Sequence, residues 1–317
     1  MITNLIYFLI ACLGIILSGI YLVKSLEKIA KHLGISRFTA AFIIMAVATS
    51  LPELIVGITS AIQKNSSLSM GNVIGANIIN LTLITGIFIV LGRGIKFKSK
   101  KNENNVYFML FSIALLFALY LVGNELSRID GIILLAFFII NTTRLLIKRK
   151  KYRAKINGTR LERKEGVYNS FFFIFLVAVL IFSSRYLVKY GSLLAIDLNV
   201  PQILIGLFLI SIATTLPELV FGINAVLANR KEMSIGDQTG TIFSNTCLIL
   251  GIVSIINPIK VAFLPFIISM SFLLFAGILF TIFMKIDNEF TIKEGIALIL
   301  IYLVFISIEL VSNFPRV

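Results

Sequence analysis

The chain has no tryptophan, one histidine (His32), two cysteines and only 15 acidic residues against 29 Lys and Arg in 317 positions. One histidine excludes the H-E-x-x-H pair of a zinc peptidase, which needs two. Cys12 and Cys247 lie in apolar stretches without metal-type spacing and read as inert buried thiols. The shortage of acids excludes an ion-sensing regulatory loop, because the one long hydrophilic stretch, K-R-K-K-Y-R-A-K-I-N-G-T-R-L-E-R-K-E-G at 148–166, has almost none. What fills the chain is apolar: 58% of it is hydrophobic, which puts most of it in a lipid bilayer. A net charge of +14 would suggest nucleic acid if the basic residues formed a surface stripe. They fall instead between apolar runs, so they bear on topology and no nucleic-acid partner is expected.

The N-terminal M-I-T-N-L-I-Y-F-L-I lacks a basic region and a small-residue cleavage site, and its apolar run continues to about Leu22. It reads as a first membrane helix rather than a signal peptide. Ten apolar segments follow one another, at about 4–23, 38–63, 70–92, 105–123, 130–147, 168–188, 201–228, 236–257, 262–284 and 295–312. Alternate connectors, starting with the first, hold 23 of the 29 Lys and Arg. The positive-inside rule makes those connectors cytoplasmic and puts both termini outside. The 148–166 stretch is then a solvated basic linker on the cytoplasmic side, in reach of anionic lipid.

An offset of 165 aligns the two halves without a gap. Over 46–57 against 211–222 seven residues are identical: Ala48, Thr49, Leu51, Pro52, Glu53, Leu54 and Gly57. Over 69–80 against 234–245, Ser69, Gly71, Gly75 and Asn80 coincide with Ser234, Gly236, Gly240 and Asn245. Five spans per half is an odd number, so the second half enters the membrane from the opposite side. The expected fold is an all-α membrane protein of ten transmembrane helices, as two inverted five-helix repeats (1–147 and 168–317) joined by the basic linker 148–167. That arrangement places a substrate site near the midplane and suits alternating access.

The repeated A-T-[ST]-L-P-E places Glu53 and Glu218 at membrane depth, where a carboxylate costs a few kcal/mol or more and marks an ion path. Pro52 and Pro217 cannot donate a backbone hydrogen bond, so they are expected to break their helices and free the carbonyls of Ala48 and Ala213. Carbonyls, the hydroxyls of Thr49, Ser50, Thr214 and Thr215, and one carboxylate per half make an all-oxygen set suited to hard cations such as calcium. Softer metals prefer the thiols and imidazoles that are missing here. Next come G-N-V-I-G-A-N-I-I-N at 71–80 and G-D-Q-T-G-T-I-F-S-N at 236–245. Their glycines, four apart, suit close helix packing, and Asn80 and Asn245 are expected to line the site because an amide in lipid needs a partner. Asp237 lies eight residues before Asn245, about 12 Å along a helix, and is expected at the cytoplasmic mouth. Glu125, Asp130 and Glu309 are expected in solvent.

The pair of A-T-[ST]-L-P-E helices, each followed by a Gly-rich helix ending in Asn, resembles the alpha repeats of the cation/calcium exchanger superfamily, and in particular its prokaryotic sodium/calcium exchangers. The resemblance covers essentially the whole chain. It implies calcium ligation by Glu53 and Glu218 with the carbonyls of Thr49 and Thr214. It implies sodium ligation by the carbonyls of Ala46 and Ser211 and the hydroxyls of Ser50 and Thr215. Asn80 and Asn245 would complete the floor, with Ala76 and Thr241 at the remaining inward positions. Two departures stand out: Ala76 replaces a small hydroxyl residue common in the family, and Asn80 and Asn245 are both amides where Asp is common. The implied function is antiport of calcium against sodium by alternating access, with a proton-coupled exchanger of calcium or another cation as the alternative. No cofactor is implied beyond the transported ions, and the resemblance suggests a multi-pass protein of a prokaryotic plasma membrane. An intramembrane aspartyl protease would need a second catalytic Asp on a neighbouring span, and none is offered; a channel fits inverted halves less well than a gated carrier does. The expectation is a transporter, not an enzyme.

Overall fold

A computed structural model describes residues 1–32, 49–96, 103–150, 163–285 and 289–313. The helices are α1 Ile2–His32, α2 Leu51–Ile62, α3 Ser66–Ile79, α4 Thr85–Leu91, α5 Glu103–Gly123, α6 Arg128–Lys150, α7 Arg163–Asp197, α8 Gln202–Leu204, α9 Ser211–Leu227, α10 Lys231–Ser244, α11 Leu250–Ile256, α12 Phe263–Lys285 and α13 Ile292–Asn313. Wider π turns at Asn80–Ile84, Ile205–Ile210 and Asn245–Ile249 join α3 to α4, α8 to α9 and α10 to α11. Among the described residues, eight helical stretches are long and apolar enough to cross a membrane. Of the other two expected spans, one is the shorter α2, whose expected N-terminal part lies outside the described residues, and one is α6.

The 165-residue spacing reappears in the elements: Ser66–Ile79 and Lys231–Ser244, Asn80–Ile84 and Asn245–Ile249, Thr85–Leu91 and Leu250–Ile256. These are also the most enclosed spans. Of the most apolar 18-residue window in Ser66–Leu91, 83% is buried, against 28% of that in Tyr168–Asp197, so α3 and α4 form the centre and α7 the periphery. The α7 face left open is apolar, with Phe171, Phe175, Ile181 and Phe182 exposed, as a lipid-facing helix requires.

The connectors sort onto two faces. On one, the Lys231 ammonium donates to the Gly92 carbonyl (2.5 Å) and Lys96 pairs with Glu289 (3.1 Å), beside the short antiparallel ladder Ile95–Lys96 with Glu289–Phe290. Lys24 and Arg230 line one cavity there. On the other, Asp197 holds the N-terminal amine (3.1 Å), Leu126 bridges to Ile259, and Ser67 donates to Gln202 (3.0 Å). Four of the five basic connectors therefore send residues to one face.

The glycines of α3 explain how two backbones meet in the centre. A Cβ on Gly71 would run into the carbonyl of Ile203, and one on Gly75 into the carbonyl of Leu207, with the Ser211 hydroxyl 2.8 Å away. Gly206 reciprocates against the carbonyl of Leu68. Because these obstacles are backbone atoms, Gly75→Ala is expected to destabilise the protein by about 1–3 kcal/mol, the usual overpacking cost. Gly123→Ala is the control, since its nearest neighbour would be the Glu125 Cγ at 4.0 Å. Equal thermal unfolding of the two variants would remove this account of the α3 interface.

Candidate functional site

Glu53 and Glu218 come from the first turn of α2 and the middle of α9. Pro52 lies in the first turn of α2, where its missing amide costs nothing, just after a bend at Ser50 (φ −79°, ψ 3°). Pro217, by contrast, sits inside a continuous α9. The expectation that both prolines interrupt a helix is thus corrected in the second half. There the hydroxyls of Thr214 and Thr215 bond back to the Ser211 carbonyl (3.3 and 2.8 Å), adding polar contacts one turn before the proline. The two proline rings approach each other across α1: a Cβ on Gly19 would meet Pro217 Cγ at 2.7 Å and Pro52 Cγ at 3.1 Å. Ala48 and Ala46 lie outside the described residues.

Both carboxylates are fully buried, and all four of their oxygens are without a hydrogen-bond partner. The Thr214 hydroxyl stands next to Glu53, and Glu218 feels the charges of both Glu53 and Asp237. Among the described residues no Lys or Arg pairs with any of the three; the ion pairs of Asp197 and Glu289 lie at the faces. An ionised pair left so would be too costly to persist, so the arrangement calls for cations or protons to neutralise it.

Hydrogen bonds tie the two halves together around these groups. Thr49 and Thr241 share a contact at 3.5 Å, and Thr214 donates to Asn72 at 3.0 Å. Asn245 donates to Asn77 (3.2 Å), which in turn donates to Thr246 (3.0 Å). Ser50, Ala76, Asn80, Ser211 and Thr215 are buried as well. Ser50 Oγ, the Asn245 carbonyl oxygen and both polar atoms of the Asn80 side chain have no hydrogen-bond partner. Every expected site residue inside the described range is therefore enclosed in the interior.

Asn72, Asn77, Gln238 and Thr246 belong to this polar interior but are missed by sequence reasoning. The signal was present: a neutral amide within a buried span carries the same demand for a partner as Asn80. Gly71 and Gly75 pack against the backbone of Ile203 and Leu207. Three expectations on acids are corrected, and Glu125, also expected in solvent, is half-buried. Glu309 is fully buried, because it continues the stripe Leu298, Tyr302 and Phe305 with which α13 packs on α4 and α12. Asp130 is half-buried; its carboxylate accepts from the amide and hydroxyl of Ser127 (2.8 and 2.6 Å), closing a capping box on α6. Asp237 is 5% exposed, sealed by the packing of α10 on α9 and α5 rather than open at a mouth. A cavity of about 280 Å³ between α1 and α9 has Pro217 in its wall, but it is mainly apolar and carries Lys24 and Arg230, so it offers no cation site.

The sequence profile of the sodium/calcium exchanger protein family matches residues 3–146 and again 168–311. The chain belongs to the sodium/calcium exchanger family. Its two matched segments are themselves 165 residues apart. Among the relatives of this family member, the sodium/calcium exchanger MaX1 of Methanosarcina acetivorans is 28% identical over 94% of this chain and 97% of its own. The inner membrane protein YrbG of Escherichia coli is 26% identical over 86% of each chain. The solved sodium-calcium exchanger NCX_Mj, soaked with sodium and strontium, superposes with a TM-score of 0.66 at 25% identity, over 96% of this chain and 98% of its own. The exchanger-family chain is accordingly a multi-pass, mostly helical membrane protein.

Proposed function

We propose that the protein is a secondary antiporter exchanging calcium for sodium by alternating access. The observation that carries this reading is the pair Glu53 and Glu218, whose four buried oxygens have no partner, set between two halves of an exchanger-family chain. Their two charges are balanced by one calcium or by two sodium ions. In a low-dielectric interior that balance is enforced, so the ions compete for the same carboxylates, and an empty site resists crossing while a filled one moves. Thr49, Thr214, Ser50, Thr215, Ala46 and Ser211 supply the neutral oxygens, with Asn80, Asn245, Ala76 and Thr241 around them. This is ion translocation and requires no catalytic group.

The supporting architecture is ten spans in two inverted halves, 1–147 and 168–317, joined by the linker 148–167. The face gathering Gly92, Lys96, Lys231 and Glu289 is cytoplasmic, and both termini lie outside a plasma membrane. The family match supports the membrane setting, and the clustering of basic connectors on one face supports the orientation.

Proteoliposomes loaded with sodium and diluted into sodium-free buffer are expected to accumulate radiolabelled calcium. Uptake driven by a pH gradient alone, with no sodium present, would replace sodium coupling by proton coupling. No calcium movement under either gradient, from folded protein, would remove the antiport reading.

A further inference from the structure

The two central helices differ in one respect that the repeat makes measurable. Along α3 and its π turn, the buried residues Asn72, Val73, Ala76, Ile79 and Asn80 have as counterparts on α10 and its π turn Asp237, Gln238, Thr241, Ser244 and Asn245, whereas Asn77 has the apolar Ile242. Three buried apolar positions in the first half are thus polar in the second. The first-half amide Asn72 has a partner for its carbonyl oxygen, which accepts from Thr214, and none for its nitrogen. Its counterpart Asp237 has none for either oxygen, and neither has Gln238 for either side-chain atom or Ser244 for its hydroxyl. Gln238 is fully buried and Asp237 nearly so.

Thr241 fixes the direction of this stripe. It contacts Thr49 across the halves, and it lies four residues from Asp237 and three from Gln238, so all three share one side of α10. Asp237 sits on α10, which packs against α9, the helix that carries Glu218. Yet among the described residues no three acidic, histidine or cysteine side chains converge into a single metal centre. Asp237 therefore stands beside the central pair and apart from it. A lone carboxylate with an amide oxygen and hydroxyls makes a hard, singly charged site.

We propose that Asp237 and Gln238 form a second cation subsite on α10, next to Glu218, that takes one monovalent cation, sodium. This goes beyond the central site and rests on the antiport reading only for what the subsite contributes to exchange. A sodium ion there neutralises the third carboxylate of the interior, so sodium binding engages α10 as well as the two proline-bearing segments.

The test is thermal unfolding of the purified full-length protein at pH 8 without calcium, with sodium chloride replacing choline chloride at constant ionic strength. Wild type is expected to be stabilised by sodium. Asp237→Asn, which installs the residue found at position 72, is expected to need at least ten-fold more sodium for the same rise. Gln238→Val, which installs the residue found at position 73, is expected to need several-fold more and serves if the first variant does not fold. The double variant Glu53→Gln/Glu218→Gln is expected to keep an Asp237-dependent sodium response. Identical sodium responses in wild type and both α10 variants would overturn the subsite. So would stabilisation of wild type by acidification with none by sodium. Calcium uptake measured on the same preparations separates the two ideas: an Asp237-dependent sodium shift without uptake keeps the subsite and removes antiport, and uptake with unchanged sodium responses does the reverse.

Discussion

Glu218→Gln is expected to lower calcium exchange by at least a hundred-fold while leaving a folded protein. The amide is isosteric, and no hydrogen bond is lost, because neither oxygen of Glu218 has a partner in the described structure. What is lost is one charge of two. Calcium bound against Glu53 alone leaves a net positive charge in the interior, and an unpaired buried charge costs about 3–5 kcal/mol when its partner is removed. At about 1.4 kcal/mol per factor of ten, that amounts to roughly two to three and a half orders of magnitude in calcium occupancy. Glu53→Gln is expected to behave alike, since Glu53 is equally buried and equally unpartnered. Initial rates of calcium–calcium exchange in proteoliposomes, normalised to reconstituted protein, provide the measure. Exchange within three-fold of wild type for either variant would show that the carboxylates are structural.

Calcium is expected to raise the thermal stability of wild type strongly. A ligand that binds only the folded state adds about 2.7 kcal/mol at one hundred times its dissociation constant. The apo interior holds four carboxylate oxygens without partners, so the folded state loses more than usual when the cation leaves. Chelation should therefore lower the unfolding temperature, and calcium should restore it. The double variant Glu53→Gln/Glu218→Gln gives the sharper contrast: it should unfold no earlier than chelated wild type and should ignore calcium. A calcium response that survives in the double variant would place the ion elsewhere. A double variant much less stable than chelated wild type would mean that the carboxylates hold the fold together.

Much of this site is legible in the chain itself, for definite reasons. Glu53 and Glu218 stand out because a carboxylate is rare in an apolar run, and the repeat shows the same motif twice. The buried hydroxyls follow from their place in the same motif. Asn77 and Gln238 escape notice because a neutral amide among apolar residues carries no charge signal, and its partner, Thr246 for Asn77, lies 169 residues away. Pro217 misleads for another reason: a proline forbids one hydrogen bond but does not end a helix whose neighbours hold it, and α9 runs through it. Glu309 misleads because its place near a helix end suggests water, whereas its register with Leu298, Tyr302 and Phe305 turns it inward. Charge at a terminus is a weaker guide than phase along the stripe.

The π turns at Asn80–Ile84 and Asn245–Ile249 carry a consequence for the history of the chain. A π turn holds one residue more than the helix around it, which is what a single-codon insertion absorbed without breaking the span would leave. Both begin at an asparagine, and the two asparagines are 165 residues apart, the offset of the repeat. Two independent insertions would have had to strike the same point twice. One insertion in an ancestral half-length gene, copied when that gene doubled, accounts for both. On that chronology the widened turn is older than the two-half protein, and the divergence of α10 from α3, Asp237 included, came after it.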